Sequence, residues 1–220
     1  NSYVADNFRL VQALAALFAR NGGRIVKARA LGFDLGPQGP TAVRTAEQAI
    51  ACDAVVIAAG AWSKTLTRML GHKVPLDTER GYHVTLPNAQ KMPRMPLYSG
   101  DHSFAVTPLE IGLRFAGTVE LGGLEAPPNY QRAEILMRHG RRMFGDLNES
   151  GRSDWMGFRP SMPDALPVIS AGKRTANTYF AYGHGHLGLT LGPITGKLIA
   201  DLVARRDPGV DLTPFRIDRF

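Results

Sequence analysis

Two stretches of this chain combine residue types that can do chemistry. In Gly157-Phe158-Arg159-Pro160 an arginine stands between an expected strand and a proline turn, followed by Pro163-Asp164 and Pro167. A planar guanidinium so placed can take a carboxylate through two parallel charge-assisted hydrogen bonds, although an ordinary salt bridge would use the same residue. The second stretch, Gly183-His184-Gly185-His186-Leu187-Gly188, fits G-x-G-x-x-G, the pattern of a dinucleotide-binding turn. That fingerprint needs a further strand ending in an acid about 20 residues on. The chain runs instead into Arg205-Arg206-Asp207-Pro208 and shows no such strand. A different use is open to the helix that follows. Gly188, Gly192, Gly196, Ala200 and Ala204 give it one smooth face, fit for a flat group or for close packing on a sheet. Its first turn offers free N–H groups and a positive dipole end, suited to negative charge on a neighbouring ring.

Other chemistries find less support. His184 and His186 are two apart and can share a metal, but no Asp, Glu or Cys follows at ligand spacing, so no metal site is expected. Ser63 follows Ala61-Trp62 and is not in a G-x-S-x-G elbow, which argues against a Ser/His/Asp hydrolase. Cys52 is the single cysteine, so an intrachain disulfide is excluded and a reducing compartment is permitted. The net charge of +7 and pI near 9.9 would suit anionic partners. The basic residues are nevertheless scattered, and Arg141-Arg142 and Arg205-Arg206 are too short for a nucleic-acid arm. Residues 187–203, the best candidate span, carry Pro193, Lys197 and Asp201, so no membrane crossing is expected.

The elements that would position these residues form two textures. From Asp6 the apolar positions Phe8, Val11, Leu14, Ala15 and Phe18 recur at helical steps, with Asp6 or Asn7 as cap and Gly22-Gly23 as stop. Residues 24–30 and 41–45 read as strands around a Gly/Pro turn, and 54–58 as an apolar strand buried on both faces in a parallel sheet. Residues 62–70 read as a short helix stopped by Gly71. From Lys73 to Ser153 the segments shorten and alternate: strands at 82–86, 104–107 and 113–121, then a helix at 130–144, an antiparallel sheet with a covering helix. A strand at 178–182, the glycine turn and a helix at 189–205 restore the first texture. The expected division is 1–72 and 154–220 for one α/β domain, with 73–153 inserted as a second.

Together these segments resemble the D-amino-acid oxidase superfamily of FAD-dependent enzymes, in particular its bacterial D-amino-acid dehydrogenase and glycine oxidase branches. The segments that carry the resemblance are Val55-Val56-Ile57-Ala58-Ala59-Gly60-Ala61-Trp62-Ser63, Arg80-Gly81-Tyr82, the strand from Arg114 to Glu120, the G-x-R-P-x-x-P-D of Gly157 to Asp164, and the loop from Tyr182 to Thr190. The resemblance implies an α/β (α+β) fold: part of an FAD-binding Rossmann-like domain with an inserted antiparallel substrate domain. It implies FAD contacts from Val26, Ala59, Gly60, Trp62, Gly183, His184, Gly185, His186, Leu187, Gly188, Leu189 and Thr190. Arg159 would hold the substrate carboxylate, with Tyr82, His102 and Phe104 as pocket walls. Two departures bear on the substrate: His102-Ser103-Phe104 lacks the tyrosine of the glycine oxidase pattern, and Leu189 stands where the dehydrogenases carry tryptophan. The family's amino-terminal glycine turn and ribose-binding acid have no counterpart here. The chain is therefore expected to start mid-protein and not to hold the ADP moiety by itself.

The expected function is flavin-dependent oxidation of a D-amino acid or related amino or imino acid to the imine and then the keto acid, with no protein base named. Three alternatives stay open: a glycine- or sarcosine-type amine oxidase using oxygen, a tRNA-modifying oxidoreductase domain, and a non-catalytic remnant. The expected partners are a small amino or imino acid and an electron acceptor, whether quinone, carrier or oxygen, and nucleic acid is not expected. Cytoplasmic localisation is the default, with peripheral attachment to the cytoplasmic membrane face left open.

Overall fold

The computed structural model describes residues 3–220. In chain order the elements are α1 (Asn7–Arg20), β1 (Gly32–Gly36), β2 (Gly39–Arg44), β3 (Ala49–Ala51), β4 (Val55–Ile57), α2 (Ser63–Met69), β5 (Asp77–Leu86), β6 (Leu97–Ser99), β7 (Phe104–Leu109), β8 (Gly112–Glu120), α3 (Gln131–Phe144), β9 (Ser153–Ser161), β10 (Val168–Ala171), β11 (Thr178–Tyr182) and α4 (Gly188–Val203). The chain forms two compact units, one of residues 27–79 and 158–220, the other of residues 1–26 and 80–157. The borders therefore fall a few residues beyond the expected 72/73 and 153/154, inside β5 and β9. The amino-terminal helix belongs with the antiparallel unit rather than with the α/β one. Local bonds account for that: the Glu110 N–H donates to the Ala5 carbonyl at 3.3 Å, and Arg9 reaches Glu110 at 2.9 Å.

The α/β unit holds two three-stranded sheets, the antiparallel meander β1-β2-β3 and the sheet β10-β11-β4. In the latter β11 runs parallel to β4 and antiparallel to β10. Val55 and Ile57 point into a core with Leu70, Leu76, Val168, Phe180 and Tyr182. Leu198 and Ile199 of α4 pack on Ile169 and Tyr179. Two expectations are corrected here. Val56, between its buried neighbours, is 42% exposed, so β4 is buried on one face and not on both. Residues 24–30 form no strand, because strand geometry needs a neighbouring ladder to satisfy its N–H and C=O groups and no described strand lies beside them. The expected helices at 62–70 and 189–205 are present as α2 and α4, the former preceded by a 3-10 turn at Gly60–Trp62.

The second unit is built on a five-stranded sheet of order β6-β7-β8-β5-β9, antiparallel from β6 to β5. Period-two alternation sends Tyr82, Val84 and Leu86 of β5, Phe104 and Val106 of β7, and Leu113 and Phe115 of β8 to one face. There α3 covers them with Ala133, Leu136 and Met137. Ten or so such apolar side chains, each worth roughly 1.5–3 kcal/mol when fully buried, hold the helix on the sheet. In the first half of β5 the buried Arg80 donates to Glu120 and to the carbonyls of Ala126 and Pro127, tying the 121–130 loop to the sheet. The helix α1 starts as expected, with the Asp6 carboxylate accepting from the Arg9 N–H at 2.9 Å, and it ends before Gly22 at φ +88°.

Candidate functional site

The candidate site of the α/β unit is assembled by one bridge. Ser161, near the end of β9, pairs with His184 in the glycine loop, so the strand carrying Arg159 lies beside the loop that opens α4. Gly183 sits at φ +85°, and a Cβ there would come within 2.7 Å of Met162 Cγ. Both facts require glycine, and together they press the loop against the arginine segment. His184 is fixed by a 2.9 Å bond between Nε2 and Thr195 Oγ1, and burial lowers its pKa, which keeps it neutral at neutral pH. His186 Nε2 lies 3.3 Å from Glu79 Oε2.

Arg159 is half-buried, and desolvation lowers its pKa against the opposing charge of Glu79. Glu79 thus couples electrostatically to Arg159 and bonds to His186, drawing the arginine and the glycine loop into one polar cluster. A partly desolvated guanidinium is well matched to a carboxylate, whose two oxygens fit its fork.

The residues expected along a flavin fall into two stretches of this unit. Gly60 stands at φ +55°, with nothing within 4 Å of where a Cβ would sit, so its backbone is open to close approach. Trp62 beside it meets Phe158 edge to face at 5.4 Å. Ala59, Trp62 and Leu66 line a groove of about 680 Å³ with Ala28, Ala30 and Leu31. On α4, Gly192 and Gly196 likewise have nothing within 4 Å of a Cβ, while Leu189 is exposed. Gly185, His186 and Leu187 form a 3-10 turn, so Gly188, Leu189 and Thr190 open α4 with N–H groups that have no intrahelical acceptor. An open glycine cradle, a groove and a helix start suited to negative charge fit a planar ring system with a chain attached, as FAD is. Val26 belongs by its contacts to the other unit, in irregular backbone and partly exposed.

The three expected pocket walls are placed differently. Tyr82 and Phe104 are each 1% exposed in the core under α3. The Tyr82 hydroxyl donates to Glu120 at 2.5 Å and accepts from the Asn129 N–H at 2.8 Å. It serves the anchoring network of Arg80. His102 stacks on His139 of α3 at 4.4 Å. The opposite face of the sheet carries His83, which stacks on Trp155 of β9 at 4.8 Å, and Arg114, whose Nε donates to Thr85 Oγ1 at 3.2 Å. Sequence reasoning overlooked Glu79, Ser161, Thr195, His83 and Trp155. For His83 the signal was present: it alternates with Tyr82 and Val84, so it must face away from the core they form.

Among the described residues no group of three metal-ligating side chains comes together, and no helix is long and apolar enough to cross a membrane.

The fold agrees with what the chain is similar to. The family model for FAD dependent oxidoreductases, DAO, matches residues 1–202. A D-amino-acid oxidase from Bradyrhizobium diazoefficiens is 44% identical over 96% of this chain and 51% of its own length. A D-amino acid dehydrogenase from Paramagnetospirillum magneticum is 34% identical over 80% of this chain and 42% of its own. The crystal structure of glycine oxidase from Geobacillus kaustophilus superposes with a TM-score of 0.83 at 23% identity, covering 96% of this chain and 57% of that one. The chain spans about half the length of the relatives it matches. It belongs to the DAO family of FAD-dependent oxidoreductases, flavoproteins whose relatives by sequence are amino-acid oxidases and dehydrogenases.

Proposed function

We propose that this chain supplies the carboxylate-binding arm and the flavin-facing loop of an enzyme that oxidises a D-amino acid, or a closely related amino or imino acid, to its imine. The observation that carries this reading is the desolvated Arg159 held beside the glycine loop by the Ser161–His184 bridge. Bound FAD supplies the acceptor for the hydride that leaves Cα. Gly60, the open face of α4 and the N–H groups from Gly188 to Thr190 would hold it. Arg159 grips the α-carboxylate and so orients the Cα–H bond for hydride loss, a positioning role that needs no proton transfer by the protein. Loss of an N–H proton from the neutral amine completes the imine, which water hydrolyses to keto acid and ammonia. Glu79 holds His186 and sets the field in which Arg159 binds an anion.

The test is a comparison of substrates in the FAD-loaded enzyme. Arg159→Ala is expected to lower kcat/KM for an amino acid by about two to four powers of ten, from two charge-assisted bonds of roughly 1.5–3 kcal/mol each. It should lower kcat/KM for the matching amine without a carboxylate much less, and leave flavin content unchanged. Arg159→Lys, which keeps charge but not the fork, should recover only part. Equal losses for amino acid and amine would overturn the assignment. Peroxide yield in air separates oxygen from a quinone or carrier as electron acceptor.

A further inference from the structure

Glu79 on β5 and Arg159 on β9 belong to neighbouring hydrogen-bonded strands. The charge of Glu79 acts on the Arg159 guanidinium, and its Oε2 lies 3.3 Å from His186 Nε2 in the glycine loop. All three residues fall in the same compact unit. Other acids of that unit are closed off by cations: Asp164, Asp201 and Asp218 each meet a lysine or arginine at 2.7–3.0 Å. Glu79 meets a histidine ring instead. Its side chain is 33% exposed, beside a His186 side chain that is 60% exposed, so the carboxylate is open to a charge arriving from solvent.

An acid in that place works against simple anion capture. Two unit charges about 6 Å apart in a part-exposed site change an affinity by roughly tenfold to a hundredfold. Glu79 therefore weakens the hold of Arg159 on every carboxylate, by the same factor whatever else the ligand carries. What it can alter is the choice among ligands, because it attracts a second charge that is positive and repels one that is negative. His184, kept neutral by burial, adds no cation to the loop that would offset this.

We infer that Glu79 is a specificity-determining residue of this site, selecting amino acids with a cationic side chain and rejecting those with a second carboxylate. The inference rests on the reading of Arg159 as the anchor of the α-carboxylate. Arg159 and Glu79 then form a fixed plus–minus pair, against which a basic amino acid lays its carboxylate and its side-chain cation. The α-amino group is common to all the substrates and cancels from the comparison.

The test uses the FAD-loaded full-length enzyme and two pairs of ligands. For turnover, kcat/KM is expected to favour D-lysine over D-glutamate, and Glu79→Gln should lower that ratio by about tenfold or more. Glu79→Asp, which keeps the charge and guards against a folding defect, should keep most of the ratio. For binding without turnover, perturbation of the flavin absorbance gives the affinities of glutarate and butyrate, which differ by one carboxylate. Glu79→Gln should strengthen glutarate relative to butyrate by about tenfold. A wild-type preference for D-glutamate, or ratios that Glu79→Gln leaves unchanged in both pairs, overturns the assignment. Equal losses for D-lysine and D-glutamate, with the glutarate-to-butyrate ratio unmoved, reduce Glu79 to a structural brace of His186 and overturn it as well. The reading of Arg159 fails separately: butyrate, with its single carboxylate, would then bind Arg159→Ala as well as it binds the wild type.

Discussion

At the scale of single residues, the site residues gain their properties from strain and burial as much as from type. Ala165, in the turn after Arg159-Pro160, adopts φ +59° although it carries a Cβ. Its N–H donates to the Met162 carbonyl at 3.0 Å, and the Asp164 carboxylate caps Leu166 at 3.1 Å while pairing with Arg219. These bonds hold the turn in a left-handed conformation that costs an alanine roughly 1–2 kcal/mol. Ala165→Gly removes that cost and loses about 0.5–1 kcal/mol to unfolded-chain entropy. A net gain near 0.5 kcal/mol is expected, read as a melting temperature higher by about 1–2 °C. A melting temperature that falls would mean that the alanine methyl packs usefully. Because the turn follows Arg159 in sequence, the glycine variant should also show whether local strain serves substrate binding: KM rises if it does and stays level if it does not.

At the scale of elements, α4 is the informative case. Glycines at Gly192 and Gly196 weaken a helix interior by about 1 kcal/mol each relative to alanine. Neither position has a neighbour within 4 Å that would clash with a Cβ. Packing within this chain therefore does not explain them. Gly192→Ala is expected to stabilise the isolated chain by about 0.5–1 kcal/mol in denaturant unfolding. In the FAD-loaded enzyme the same change should weaken flavin retention, because the methyl would stand between helix and ring. Stabilisation together with unchanged flavin affinity would mean that the smooth face of α4 serves something other than the cofactor.

For the whole molecule, acid is expected to unfold the chain in two stages. His83 has its pKa lowered from 6.5 to about 4, by burial first and then by Arg114, and His72, His139 and His184 are also shifted down. A histidine with a depressed folded pKa binds fewer protons folded than unfolded, so stability is complete above the unfolded value and falls as pH drops from 6.5 toward 4. Carboxylates act lower. Asp218, held down to about 2 by Lys173 first and then Arg216, contributes stability present above the unfolded value near 4 and lost as pH falls through 2. His83→Gln should therefore flatten the upper stage, by up to roughly 3 kcal/mol between pH 7 and 4, and leave the lower stage in place. Melting curves from pH 7 to 2 check this. A slope unchanged by His83→Gln would place the proton uptake on other histidines.

The sequence by itself determined many of the elements and the family to which the principal motifs belong. Helical spacing from Phe8 to Phe18, the alternation in β5, β7 and β8, and the glycine punctuation at Gly71 and Gly183 are local properties of the chain, and they correspond to α1, the antiparallel sheet, and the stops and turns observed. The order of Gly60, Arg159 and the glycine loop sufficed to place the chain in its family, since a motif is legible without knowing its neighbours. Only the tertiary structure decided which faces those elements present. Tyr82 and Phe104 carry groups suited to a pocket, yet alternation and α3 commit them to the core, while His83, Trp155 and Arg114 share the other face. Residues 24–30 have strand-like composition and form none, because a strand exists only by virtue of a partner. Glu79 enters the arginine cluster from a residue 80 positions away in sequence, joined through the Ser161–His184 bridge and His186. Pairings of that separation are fixed by packing and hydrogen-bond satisfaction across the fold, and no local pattern encodes them.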